Sequence, residues 1–164
     1  MKKYTPSSHR SLARCAAIWA ERALPLFESE FPADDRPRTA IKALRTWVRT
    51  GVFKMADIRG ASLSAHAAAR AAEPGSAACF AARAAGQAVA TAHVPQHAFG
   101  SSYYALKAMI AASGPSRAES AAHRELERQA SYLPASLKRE FLKTVVLERK
   151  KNGILVRVIK GPGF

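Results

Sequence analysis

The sequence predicts an all-α protein: one compact domain over residues 1–164, a bundle of about six to seven helices with a possible C-terminal β-hairpin. Three observations predict it. Alanine, the strongest helix former, supplies 35 of the 164 residues. Apolar residues recur at steps of three and four over roughly the first 130 positions, the period of one helix face. Proline, glycine and capping residues then cut the chain at intervals suited to separate helices. With 48% hydrophobic and 23% charged residues, the composition excludes a disordered protein. The formal charge of +14, from 26 Lys and Arg against 12 Asp and Glu, excludes an acidic one.

Each element follows from its own signals. Leu12, Ala16, Trp19, Ala23, Leu26 and Phe27 share one face, so a first helix runs over about 8–31, with Pro25 kinking it. Asp34-Asp35-Arg36-Pro37 opens a second helix, Asp35 acting as N-cap and proline sitting in the first turn. Ile41, Leu44 and Val48 mark its buried face, and Gly51 suits the position after its end. A third helix covers about 55–72, broken by Pro74-Gly75-Ser76. Ser76 caps a fourth, about 77–92, and Pro95 begins or kinks a fifth, to about 112. Gly114-Pro115 ends that one. Ser116-Arg117-Ala118-Glu119 fits a capping box for a sixth, and Leu133-Pro134 separates it from a seventh starting near Ala135.

The C-terminal end reads two ways. In the first, the seventh helix continues through Phe141 and Leu147. In the second, 144–151 and 154–160 pair as a hairpin around Asn152-Gly153, with Val145, Leu147, Val156 and Val158 on one face and Glu148 facing Arg157. The fourth helix is nearly bare, with Ala78, Ala81, Ala82, Ala85, Gly86 and Ala88. Small side chains permit close helix approach, which places it centrally, with Trp19, Phe27, Phe31, Leu44 and Trp47 packed around it.

Cys15 and Cys79 cannot make a disulfide framework and read as buried thiols of a reducing compartment. Met1, Lys2 and Lys3 resemble the start of a secretory signal, but the apolar run 15–20 lies between Arg14 and Glu21 and is too short for one. The longest stretch lacking Lys, Arg, Asp and Glu, 84–106, contains Gln87, His93, Pro95, Gln96 and His97, which argues against a membrane span. The expectation is a cytoplasmic protein with no membrane partner.

No pattern spells out a reaction. There is no G-x-S-x-G, no phosphate-cradling glycine loop and no positioned pair of carboxylates, so no catalytic residue and no cofactor is assigned. Gly86 and Gly100 read as packing contacts, and Glu21 as the partner of an arginine or histidine. His93 and His97 stand four apart, but Pro95 lies between them and no HExxH glutamate accompanies them. With His66 from the third helix they can form a pocket, for which Glu21, Arg36, Arg38 and Arg70 are further candidates. Metal ligation, base catalysis and a structural network all remain open for it. The expected outcome is the network, without metal, with His93 at the break before Pro95.

The basic surface is the strongest physical signal. Arg38, Lys42, Arg45 and Arg49 form a stripe on the second helix opposite Ile41, Leu44 and Val48. Lys138, Arg139 and Lys143, followed by Arg149, Lys150 and Lys151, make a second concentration. Charge on this scale favours encounter with polyanions or acidic proteins, yet no zinc finger, RRM signature or helix-turn-helix is present.

A resemblance goes further. The segments W-A-E-R-A-L-P-L-F-E at 19–28 and D-D-R-P-R at 34–38 resemble the start of a bacterial immunity-protein family, immunity-protein-five-like. So do A-H-A-A-A-R at 65–70, A-R-A-A-G-Q-A-V-A-T-A-H at 82–93, His97-Ala98 and Y-A-L-K-A at 104–108. The likeness covers about 10–112, a family-like helical core. In the C-terminal helices and charged tail, 113–164, Glu127-Arg128 and Leu133-Pro134 to Arg139 match more weakly, and 154–164 has no clear counterpart. The resemblance implies an all-α fold and association with toxin systems. Gln87 stands where it leads one to expect histidine, which weakens a histidine-centred site.

The expected function is therefore a non-enzymatic immunity protein that neutralises a cognate toxin by stoichiometric contact, through the basic stripe and the charged C-terminal segment. The high positive charge favours an acidic partner over a basic nuclease toxin. The alternatives are a basic protein bound non-specifically to nucleic acid, and an enzyme or metal-binding protein using the His/Arg pocket.

Overall fold

The computed structural model describes residues 4–161. The expectations attached to Met1, Lys2 and Lys3 and to the last three residues, 162–164, lie outside them. Among the described residues there are seven helices and one hairpin: α1 (Pro6–Glu28), α2 (Arg36–Thr50), α3 (Met55–Ala71), α4 (Ala77–Ala90), α5 (His97–Ser113), α6 (Ala118–Ser131), α7 (Ala135–Thr144), β1 (Val145–Lys150) and β2 (Gly153–Val158).

The helix ends show local chemistry at work. Thr5 caps α1, its hydroxyl accepting from the Ser8 N–H at 3.1 Å, and Pro6 occupies the first turn, where no N–H partner is needed. Pro25 falls in the last turn of α1, which ends at Glu28 rather than at Phe31. Ser76 caps α4 through the Cys79 N–H. At α2 the cap differs from expectation. Asp35 holds the N-cap position without a side-chain bond, and Asp34 instead accepts from the Arg36 N–H at 3.2 Å and takes its guanidinium at 2.8 and 2.5 Å. Gly51 closes α2 in the left-handed region, φ 72°, its N–H on the Trp47 carbonyl at 2.7 Å, a conformation that glycine adopts without a Cβ penalty. The capping box before α6 does not form: a 3₁₀ turn, Pro115–Arg117, leads into the helix, and Glu119 pairs with Arg149 at 3.0 Å.

α4 is the central helix, packed against α1, α2, α3 and α5. Ten of its fourteen residues are buried; the rest are Ala77, Phe80, Arg83 and Gln87. Those last three, spaced three and four apart, share one face, so the alanine-rich helix meets its neighbours on its other sides and leaves one chemically equipped edge. Trp19 and Phe27 are fully buried, while Phe31 and Trp47 are half-buried at the margin, where Phe31 stacks on Phe27 and Trp47 meets His9 at a tilt of 47°, each at 4.9 Å between centroids. Cys15 and Cys79 are buried and unbridged, and burial pushes the Cys15 thiol up to about 11.

A buried polar network fixes α6 to the bundle. Arg22 of α1 donates to Glu125 at 3.0 and 3.4 Å, and the Gln129 amide donates to the same carboxylate at 3.3 Å. Ser102 of α5 donates to the Gln129 side-chain oxygen at 2.5 Å, and the Trp19 indole to the Gln129 carbonyl at 3.2 Å. Every polar member has a partner, the condition under which such a network specifies packing rather than costing stability.

At the C-terminal end the hairpin reading holds, and the continued helix does not. α7 stops at Thr144, because the β-branched pair Val145-Val146 disfavours helix and Asn152-Gly153 supplies the turn, Gly153 at φ 133°. The register pairs Val145 with Val158 and Leu147 with Val156. Glu148 stands directly opposite Leu155 and reaches Arg157 diagonally, at 2.7 Å. Both strands pack on α5, and β2 also on α6, with Val145 and Val156 buried; a two-stranded ribbon gains stability from such a support.

Candidate functional site

Three histidines meet at the equipped edge of α4. His66 comes from α3, His97 opens α5, and His93 lies in the turn between α4 and α5. With Gln87 they line a crevice of about 440 Å³, rimmed by Met55, Ile58 and Leu63 of α3. Two helix glycines make the room. A Cβ on Gly86 would stand 2.8 Å from the His66 ring, and one on Gly100 would stand 2.7 Å from the Gln87 side-chain oxygen. They are packing contacts, as the sequence suggests, but what they pack against is the polar cluster.

The hydrogen bonds orient the rings. His97 Nδ1 donates to Gln87 Oε1 at 2.8 Å, since a carboxamide oxygen only accepts. His93 Nδ1 donates to the Ala90 carbonyl at 2.9 Å, and its ring lies 5.4 Å from that of His97. His66 Nδ1 is buried without a hydrogen-bond partner. Burial pulls the His66 pKa below its usual value, helped by the nearby Arg83 and Arg70 charges. His97 is lowered by burial and then by His93 and His66. Both rings are thus held toward the neutral form at neutral pH. Among the described residues no three His, Cys, Asp or Glu side chains are grouped so as to hold a metal ion.

The other pocket candidates lie elsewhere. Arg36 is held by Asp34 at 2.5 Å, and Arg38 forks onto Glu28 with both bonds at 2.6 Å; neither lines the crevice. Local carboxylates two and ten residues away claim them first. Glu21 is bound bidentately by Arg45. Arg70 lines a neighbouring recess with Arg83 and Lys107, and touches the crevice only through its charge on His66.

The basic stripe is correspondingly thinned. With Arg38 and Arg45 in ion pairs, Lys42 and Arg49 remain exposed and unpaired among the described residues, and with Arg14 of α1 they line a recess of about 780 Å³. Lys138, Arg139 and Lys143 are exposed on α7, whereas Arg149 and Lys150 pair with Glu119 and Glu148. A larger cleft, about 830 Å³, opens between β2 and the α4–α5 edge, where Gln87, His97, Tyr103 and Tyr104 face Val156 and Arg157.

Sequence reasoning passed over Phe80, Arg83 and Gln87 as a set, and Tyr103, Tyr104 and Lys107 opposite them. The signal was present: three large side chains at steps of three and four in an otherwise small-residue helix.

Fold and site together define a helical-bundle protein whose polar and cationic recesses are arranged around one central small-residue helix. Residues 2–136 match the family model described as Imm-5 like putative immunity protein, and the chain belongs to that family. The match ends before the hairpin. No curated protein and no solved structure matches the chain. No helix among the described residues is long and apolar enough to cross a membrane.

Proposed function

We propose that this chain is a cytoplasmic bacterial immunity protein that neutralises a cognate toxin by stoichiometric, non-enzymatic contact. Membership of the immunity family supports the general role. The observation that supports the finer reading is the recess between α1 and α2, where Arg14, Lys42 and Arg49 gather beside the Glu21-paired Arg45. With a formal charge of +14 the complementary partner is an acidic toxin surface, steered by long-range attraction and fixed at contact. The exposed Lys138, Arg139 and Lys143 of α7 extend the cationic surface available to it.

The test is co-expression with the toxin-like product of an adjoining reading frame. Restored growth, together with a one-to-one complex on size exclusion that weakens in a Lys42→Glu, Arg49→Glu variant, supports the reading. Growth arrest unaffected by the wild-type chain, with no complex, overturns it. The histidine crevice supports the enzyme alternative less well, because its rings are tied to Gln87 and to a backbone carbonyl rather than to a carboxylate that would raise their basicity.

A further inference from the structure

Beyond Gln87, the open edge of α4 continues to Arg83 and Phe80. There it faces Tyr103, Tyr104 and Lys107 of α5, and with Arg70 of α3 these side chains line a recess of about 610 Å³. Its cations are held in an unusual way for this chain. Arg22, Arg36, Arg38 and Arg45 each rest on a carboxylate. Lys107 and Arg83 instead have uncharged aromatic neighbours: Lys107 Nζ lies 4.3 Å from the centroid of Phe80 and donates to the Tyr103 hydroxyl at 3.4 Å, and the Arg83 guanidinium lies 5.8 Å from the Tyr104 centroid.

A ring face orients a cation through its quadrupole but leaves its net charge in place. None of Arg70, Arg83 and Lys107 makes an ion pair among the described residues. No Asp or Glu lines the recess, and Glu73, beside Pro74 in the same loop, is exposed. Three like charges on one indented wall raise the local potential, which an entering anion relieves.

We infer that this recess receives an acidic, carboxylate-bearing segment of a protein partner. The shape favours a peptide side chain. A nucleic-acid duplex presents a convex row of phosphates and is met by an exposed stripe, whereas this is an indentation walled by aromatic rings and floored by Ala69, Ala72 and Cys79, apolar surface suited to the methylenes of a glutamate. Tyr103 and Tyr104 also line the cleft under β2, so an extended segment seated here continues toward His97. The inference rests on the partner-protein reading above and adds a contact region separate from the α1–α2 recess.

The probe is a hexaglutamate peptide titrated into isotope-labelled protein at low salt. Saturable amide shifts concentrated at Phe80, Arg83, Tyr104 and Lys107 are expected. An Arg83→Gln, Lys107→Gln variant should weaken binding at least about tenfold, since each lost charged hydrogen bond is worth that much or more, while Arg83→Lys retains most of it. Shifts centred on Arg14, Lys42 and Arg49, or spread evenly, overturn the inference, as does tighter occupation of the same residues by a single-stranded oligonucleotide. Should the double variant fail to fold, the wild-type shift map decides alone. In the toxin assay, equal rescue by the wild type and a folded double variant sinks this inference and leaves the toxin reading standing. Failure of the wild type to rescue sinks the toxin reading, and the peptide titration still decides the recess.

Discussion

Gln87 accepts the Nδ1–H of His97 on its side-chain oxygen at 2.8 Å, and Gly100 provides the space in which that oxygen sits. The same device recurs one residue earlier on α4, where Gly86 makes room for the His66 ring. Two glycines inside helices each cost about 1 kcal/mol relative to alanine, and both flank the crevice.

The two glycines should respond differently to alanine. In Gly100→Ala the new methyl meets the far end of a flexible side chain, so Gln87 swings aside. Helix propensity offsets the disturbance, and stability changes by less than about 1 kcal/mol, but the His97 bond is lost. In Gly86→Ala the methyl meets a ring that cannot fold away, and overpacking should cost about 1–3 kcal/mol. Chemical denaturation reads the stabilities, and the His97 ring resonances report the bond. A Gly86→Ala protein as stable as the wild type would contradict this packing.

The histidines set a pH dependence with a definite sign. His66 and His97 have folded pKa values below the unfolded value. Above roughly pH 6.5 both states are neutral at these rings and their contribution is fully present. As pH falls through the unfolded pKa, the unfolded chain takes up protons that the folded chain resists, so stability declines until the folded pKa is passed as well. The rings are half-buried, so solvent screens part of the effect. Urea midpoints measured from pH 7.5 to 5 should fall, and a His66→Gln, His97→Gln variant should flatten that fall. A midpoint that rises toward acid would refute the assignment.

Much of the fold could be read in advance because its signals are local. Pro74-Gly75-Ser76 and Gly114-Pro115 mark helix boundaries within a few residues of where they stand, and the run of alanines in α4 announces its central place. The hairpin was harder, since Phe141 and Val145 continue a helical step of four while Val145 and Leu147 alternate at a step of two, and only packing on α5 and α6 decides between them. The network of Arg22, Glu125, Gln129 and Trp19 was not readable, because its members lie 103 and 110 residues apart and each looks like an ordinary surface or core residue alone. At the site, the three histidines could be suspected of convergence. Arg36 and Arg38 do not join them, because Asp34 and Glu28 are nearer partners.

The two tryptophans should separate by burial. Trp19 is fully buried, lies 5.2 Å from the Phe141 ring and donates its indole N–H into the α6 network. Trp19→Ala should cost about 3–5 kcal/mol. Trp47 is half-buried beside His9, and its truncation should cost clearly less. Thermal unfolding followed by far-UV circular dichroism, with a strongly helical starting spectrum, measures both. Equal losses would mean that Trp47 carries core packing that its exposure does not reveal.

Salt dependence decides between protein and nucleic-acid partners for the α2 stripe. Four cations each meeting a phosphate would give a fall in log K of about 3.6 per decade of salt. Arg38 and Arg45 are already held by Glu28 and Glu21, so two uncompensated cations, Lys42 and Arg49, set a slope nearer about 1.8. Glu21→Gln frees Arg45 and should steepen that slope by about 0.9, while Lys42→Ala with Arg49→Ala should nearly abolish it. Fluorescence anisotropy with an arbitrary duplex, from low salt upward, reads all three. A slope near the four-cation value in the wild type would show that the ion pairs open on binding. No binding at about 50 mM salt, where non-specific phosphate contacts are strong, removes nucleic acid as the partner and leaves the acidic protein surface.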